Sequence, residues 1–448
     1  MKETKRFAFP GAVTLVSAAV LATFSGGAAA DSAADARIRE LEKKLERSMQ
    51  MIETLQTKVQ TLEAGKAAGP AAAPANAEQA AKIDALEKQV AQLGSGISNR
   101  STLDSGVPLH GFMEVGARRS GENNPTYGRG NKGFQIGGVD LYLTPQFGNN
   151  VRALLELFFE VDNAGDVNVD LERAQLGYVF NDALTVWGGR FHTPYGYWNT
   201  AFHHGSQIQT SILRPRFLDF EDRGGILPAH TTGTWGTGTF NLASAKLGYD
   251  VYAGNAARIR LGGNPTGSLN MEMSGNSGNR TQAGFNLWAT PRALSALRVG
   301  VHGLSGTIRD DATTNATATR LNMYGGYATF IDDNWEILAE YYRFSNRDLS
   351  GGSGSHRSTA WYAQAGYNIG QWTPYARYEQ TSLSQADNYF ALQENGRSYK
   401  RGVVGLRYDL NPTSALKLEL NRTRKQQLGL GVPDDSFGEA HVQFAVRF

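Results

Sequence analysis

The chain ends in HVQFAVRF, residues 441 to 448, and these eight residues alternate without exception. Val442, Phe444, Val446 and Phe448 fall on one side, His441, Gln443, Ala445 and Arg447 on the other. A strand with one apolar and one polar face, closing the chain on an aromatic residue, suits a barrel with lipid outside and water inside. Working backwards from this end, the same period of two recurs as far as Val107. Sixteen strands are expected, beginning near Leu109, Gly133, Val151, Val169, Ala183, Thr231, Leu242, Gln282, Ala296, Arg320, Asn334, Ser358, Gln371, Lys400, Ala415 and Gly438.

Their connections alternate between short and long. Tight joins fall at Gly148 to Asn150, Asn181-Asp182, around Asn241, and at Pro291 to Ala293, Asp332 to Asn334, Asn368 to Gly370 and Asn411 to Thr413; the intervening links are longer and rich in Gly, Asn, Ser and Asp. Phe147, Phe180, Trp335, Tyr367, Trp372 and Tyr408 lie within three residues of the tight joins, where amphipathic rings meet a lipid interface. A two-sheet sandwich gives no reason for that clustering. The expected fold is an all-β transmembrane barrel of about sixteen antiparallel strands, residues 106 to 448, with short turns on the periplasmic side.

Composition agrees. Mean hydropathy is −0.38, and the only long apolar run lies at the N-terminus, so a bundle of membrane helices is excluded. With 52 Gly, 18 Tyr and 21 Phe the chain suits short twisted strands with aromatic girdles. Zero cysteines exclude disulfides, thiolate metal sites and cysteine nucleophiles. A net charge of +2 gives no bulk attraction for nucleic acid.

Ahead of the barrel two further segments are expected. Lys2, Lys5 and Arg6 precede an apolar stretch from Phe7 to Phe24 and the small residues Ala28 to Ala30, which reads as a signal peptide over residues 1 to 30, with a retained anchor as the alternative. Over 31 to 105 the period becomes 3.5. Ile38, Leu41, Leu45, Ile52, Leu55, Val59 and Leu62 form a heptad seam, which resumes at Ile83, Leu86, Val90, Leu93 and Ile97 after an Ala/Pro-rich break. This predicts an α-helical coiled coil in the periplasm that supports self-association and is open to a periplasmic or cell-wall partner; a lone amphipathic helix against the barrel is the alternative.

Strand parity assigns the inner face. Outward Val151, Ala153, Leu155, Leu157 and Phe159 leave Arg152, Glu156 and Glu160 inside, and outward Ala174, Leu176, Tyr178 and Phe180 leave Arg173 and Gln175 inside. The same rule turns Glu336, Glu340, Arg377, Glu379, Arg407, Lys417, Glu419 and Arg447 inward. A charge on the lipid face costs about 2 to 4 kcal/mol near the midplane. Sixteen strands enclose more space than wall side chains fill, so these charges are expected to line water. From Gly106 onward 26 Arg and only 5 Lys face 30 Asp plus Glu. Arginine's fork suits carboxylate or phosphate, which favours anions; pairing with the wall's own carboxylates is the competing reading.

The longest connection, FHTPYGYWNTAFHHGSQIQTSILRPRFLDFEDRGGILPAH, residues 191 to 230, is too long for an ordinary surface loop. It could extend roughly 60 Å out and back, enough to fold into the bore. Within it Arg214, Arg216 and Arg223 sit near Asp219, Glu221 and Asp222, so that opposed charges at a constriction could set a transverse field. Bracing the loop on the wall is the competing role. His192, His203, His204 and His230 put half of the chain's eight histidines here. They lack the i, i+4 spacing and acidic partner of a zinc helix; hydrogen bonding at the constriction, with His203 and His204 in it, is expected, and no metal or other cofactor.

The sixteen strands, the long third loop and the terminal Phe448 together resemble the general and substrate-selective outer-membrane porins of Gram-negative bacteria, including the phosphate-selective group. The heptad segment is similar to the N-terminal extension of a trimeric dicarboxylate channel. The resemblance covers the architecture of about three quarters of the chain. It implies passive diffusion of small hydrophilic solutes, a third loop (192 to 230) that narrows the pore, and a homotrimer in outer-membrane lipid. Having only 5 Lys from Gly106 onward departs from lysine-rich phosphate pores. Two other classes stay open: a tether or sheath for an electron carrier, and a barrel hydrolase, for which Ser206 beside His204 is the nearest nucleophile.

Overall fold

The structure, a computed structural model, describes residues 109–122, 132–161, 166–202, 205–262, 266–271, 280–427 and 434–448. The segments expected at 1 to 30 and 31 to 105, together with His203, His204 and the Asp222 side chain, lie outside them. Among the described residues sixteen long strands run in chain order. They are β1 Leu109–Ser120, β2 Lys132–Leu143, β3 Val151–Val161, β4 Val167–Asn181, β5 Leu184–His192, β6 His230–Asn241, β7 Ala245–Asn255 and β8 Thr281–Pro291. Then follow β9 Leu297–Asp310, β10 Ala318–Ile331, β11 Trp335–Asp348, β12 Ser355–Tyr367, β13 Trp372–Ser382, β14 Tyr399–Asn411, β15 Ser414–Lys425 and β16 Asp435–Arg447. The two-residue strands Gln146–Phe147, Arg258–Ile259 and Leu269–Asn270 add local pairing.

Each long strand is antiparallel to its chain neighbour, and the last pairs the first, from Phe112↔Arg447 to Ser120↔Glu439. The sheet is closed, so no backbone N–H of an edge strand faces lipid. Tight ends are built by side chains that take over a backbone role. Asn181 accepts from Ala183 N–H at 2.9 Å, Asn411 from Thr413 N–H at 2.9 Å, and Asp332 from Asn334 and Trp335 N–H at 2.8 and 2.6 Å. Beside these turns the rings pair across strands, Trp335 with Tyr367 at 4.7 Å and Trp372 with Tyr408 at 4.4 Å between centroids.

The outer face is apolar where parity requires, with Leu176, Val301, Val404 and Val442 all exposed. One irregularity escapes a simple alternation. In β4 the outward residues are Val167 and Val169, then Leu176, Tyr178 and Phe180, so the parity switches between them. Glu156 pairs Arg173 whereas Leu157 pairs Leu171, leaving Glu172 as the extra residue of a β-bulge. Two charged residues in succession, Glu172 and Arg173, thereby serve the interior.

The bore is not an open cylinder. The β5–β6 connection enters it, carrying α1 (Trp198–Ala201), and the β13–β14 connection carries α2 (Asn388–Ala391). Tyr195, Trp198, Phe217 and Leu218 of the long loop share one apolar core with the inward residues Leu304, Leu321, Leu338, Tyr342 and Phe344 of β9 to β11. Ile259 and Leu269 from the β7–β8 connection and Tyr389 and Phe390 of α2 complete it.

Candidate functional site

The loop that fills the bore is fastened through its backbone. Gly196 has φ +62°, a left-handed conformation natural to glycine, and a Cβ there would overlap the Glu340 carboxylate and the Tyr342 hydroxyl. The chain can therefore press against β11. Glu340 then accepts Tyr197 N–H at 3.0 Å and Trp198 N–H at 2.7 Å, the first donors of α1, while Tyr342 and Tyr362 hydroxyls donate to it at 2.7 Å each. A buried carboxylate with four donors is well compensated.

Two further wall carboxylates repeat the device. Glu419 accepts Ile212 and Leu213 N–H at 2.8 and 3.3 Å, and Glu379 accepts Arg216 N–H at 2.7 Å. Wall cations take the opposite polarity of the same backbone. Arg407 donates to the carbonyls of Gln207 and Gln209 at 2.7 and 3.0 Å, and Arg377 to that of Arg214 at 3.2 Å. Lys417 donates to the carbonyls of Ser206, Gln209 and Ser211. The inward charges of β11 and β13 to β15 thus hold loop peptides in place of water.

Parity places Arg377 and Arg407 inside, where the loop covers them to 2% and 9% exposure. Arg214 points into the loop itself, donating to Leu218 O at 2.9 Å, Phe202 O at 3.4 Å and Asn199 Oδ1 at 3.1 Å, with its guanidinium over Phe220. Arg216 pairs with Glu122 at 2.9 Å and Arg223 with Glu160 at 3.0 Å. Burial alone would raise the Glu122 carboxyl, but Arg216 and Lys425, the latter at 2.7 Å, hold it below its usual range. Asp219 accepts the adjacent Phe220 N–H, and Glu221 binds both N–H and Nδ1 of His230 at 2.8 and 3.0 Å. These charges brace the loop to itself and to the mouth of the barrel. Replacing Arg214 with Gln is expected to lower the thermal midpoint by stranding buried acceptors, about 1 to 3 kcal/mol each, while leaving ion selectivity unchanged; a shifted reversal potential would place that guanidinium on the ion path.

His192 and His230 come together, their rings 5.5 Å apart, but carboxylates occupy both: Glu156 at 3.6 Å from His192, Glu172 at 2.8 Å from His230. Among the described residues no group of three or more His, Cys, Asp or Glu is arranged to hold a metal ion. Ser206 is buried and engages Lys417 through its carbonyl.

The interior has a second, wetter sector. His110, Glu114, Tyr142, Arg152, Arg173 and Arg447 all face inward and all retain exposure. They belong to β1 to β4 and to β16, the neighbour of the clamp strand β15. Arg173 is bonded to Glu156, and Gln443 donates to Glu114 at 2.5 Å. Arg152 meets only backbone carbonyls, Val151 O at 3.1 Å and Gly148 O at 3.5 Å, among the described residues. Sequence reasoning turned Glu340, Glu379, Lys417 and Glu419 inward without detecting that a loop backbone would consume them; Gly196 and the aromatic run Tyr195 to Trp198 were the available signal.

No family model and no curated protein matches the chain. Among solved structures it is similar to a loop L8 deletion mutant of OmpT, an outer membrane protein of Vibrio cholerae, at 11% identity and a TM-score of 0.50, covering 77% of this chain and 99% of that one. It is likewise similar to an anion-selective porin from Comamonas acidovorans, at 14% identity, a TM-score of 0.50 and the same 77% and 99% coverage. At such identities the likeness establishes the fold: a sixteen-stranded barrel of the porin type.

Proposed function

We propose that the chain forms a water-filled channel of the outer membrane for passive diffusion of small hydrophilic solutes, with anions preferred. The observation that carries this reading is the division of the inner wall. One sector, β11 and β13 to β15, is spent on clamping the loop, whereas on β16 through β4, which adjoins it at β15, Glu114, Arg152, Arg173 and Arg447 retain exposure. The porin-type fold is consistent with this, and one structure that shares it is an anion-selective porin. Anion preference rests on Arg152 and Arg447, which bond no carboxylate among the described residues, in a sector where Glu114, Glu156 and Arg173 have partners. A homotrimer, assisted by the heptads of residues 31 to 105, belongs to the same reading; cross-linking of the intact protein that yields only monomers would remove it.

Planar-bilayer recording of the full-length protein is the decisive measurement. Stepwise conductance is expected, with a reversal potential on the anion side in a salt gradient. Because charges in a narrow, low-dielectric-walled pore act at short range and are poorly screened, Arg152→Gln combined with Arg447→Gln should move that potential towards the cation side. No conductance at all would end the channel reading; an unchanged potential would end the anion preference alone.

A further inference from the structure

The arginine excess does not all face the bore. On the outer surface of β10 to β12, Arg320, Arg343, Arg347 and Arg357 share the parity of the lipid-facing residues Tyr324, Trp335, Ile337 and Tyr341. Arg320 is the direct cross-strand partner of Arg347. Arg357 pairs with Ser345, which places it diagonally between Arg343 and Arg347. Four guanidinium groups thus surround Ser345 on adjoining strands.

Like charges directly opposite on a sheet are destabilising. None of the four makes an ion pair or hydrogen bond among the described residues. Arg343 stacks over Tyr324 at 6.0 Å from the ring centroid, which spreads it along the surface without neutralising it. The contrast lies on β14 and β15, where Lys400 also opposes Arg424 but Asp434 bonds Arg424 at 2.8 Å. Around Ser345 no described residue supplies a counter-charge.

Height identifies the source. A strand tilted by about 40° climbs about 2.5 Å of membrane normal per residue. An apolar band about 25 Å tall that starts at the Trp335 girdle therefore ends near Ser345. The four arginines stand at the polar boundary of the leaflet on the side of the long connections. There the cost of a charge on the lipid face falls to about 0 to 1 kcal/mol, and the anions in reach are phosphates on lipid headgroups, which guanidinium forks bind bidentately.

We propose that Arg320, Arg343, Arg347 and Arg357 form an outward docking site for the phosphate groups of an anionic lipid in the outer leaflet. The site rests on the outer-membrane reading but not on the channel being anion-selective. Native mass spectrometry of the full-length protein in detergent, titrated with bis-phosphorylated lipid A, tests it. Each basic side chain near an anionic surface contributes roughly a fivefold factor, so the variant with all four changed to Gln should bind roughly six-hundredfold more weakly. The variant with all four changed to Lys should keep most of the binding, and lipid A stripped of its phosphates should bind the natural protein no better than the Gln variant binds the intact lipid. Equal binding by the natural and Gln proteins would overturn the site, as would displacement of the lipid by excess inorganic phosphate, which would make it a free-anion site. Should the Gln variant not fold, Arg347→Glu alone must still weaken binding. Bilayer conductance of the same preparations separates the two readings, because loss of lipid with retained conductance bears on this site only.

Discussion

Replacing Glu340 and Glu419 together with alanine is expected to raise single-channel conductance several-fold and to make the open current noisy. Both carboxylates are buried, and between them they accept the N–H groups of Tyr197, Trp198, Ile212 and Leu213 and the hydroxyls of Tyr342, Tyr362 and Tyr375. Each donor stranded in the dry interface costs about 1 to 3 kcal/mol, which exceeds what the loop's remaining contacts can absorb without rearranging. The loop is expected to leave the wall, and Lys417 and Arg407 to lose the carbonyls they hold. The barrel should persist, because its ladder is backbone to backbone and lies outside the clamp. Glu→Gln at the same positions keeps an acceptor oxygen and should change conductance far less. Heat-modifiable migration on gels would certify folding; a folded double-alanine protein with natural conductance and quiet current would show that the apolar core alone holds the loop.

Strand number and order were legible in the sequence because a closed lipid-facing sheet imposes a period of two on both faces at once, and because Asn or Asp must stand where a two-residue turn needs a side-chain acceptor. Asn181, Asp332 and Asn411 carried that signal. The bulge at Glu172 was not legible, since an extra residue between two alternating runs looks locally like the start of a new strand. Inward parity of Glu340, Arg377, Arg407, Lys417 and Glu419 could be read, but their partners could not. A backbone amide has no residue identity, so a carboxylate that binds peptide N–H groups leaves no mark in the loop's sequence except the glycine that permits close approach. The count of 26 arginines against 5 lysines from Gly106 onward pointed to the bore for want of any way to place height. Arg320, Arg343, Arg347 and Arg357 face outward without violating the energetic rule that sent charges inward, because that rule weakens at the membrane's polar boundary.

Deleting Phe448 is expected to remove most of the assembled protein from the outer membrane, the largest effect of any single-residue change considered. Phe448 N–H donates to Gly111 O and Gly111 N–H to Phe448 O, both at 3.0 Å, so this pair adds a rung to the seam that joins β16 to β1. Its ring lies on Gly111, where a Cβ would overlap it. Without the residue, the seam loses that rung and the half-exposed aromatic at the interface together, and an unpaired backbone donor and acceptor are left at a barrel edge in contact with lipid. Unsatisfied backbone groups cost several kcal/mol each in that setting. The two contributions can be separated. Phe448→Ala keeps the rung and loses the ring, so it should assemble at an intermediate yield, whereas Gly111→Val keeps Phe448 but crowds both its ring and the Asp140 carbonyl of β2, and should approach the deletion. Quantifying the heat-modifiable folded fraction in outer-membrane preparations checks the order of the three variants. If the deletion assembles as fully as the natural chain, the closure of the sheet does not depend on this rung, and the pairing from Phe112↔Arg447 to Ser120↔Glu439 suffices by itself.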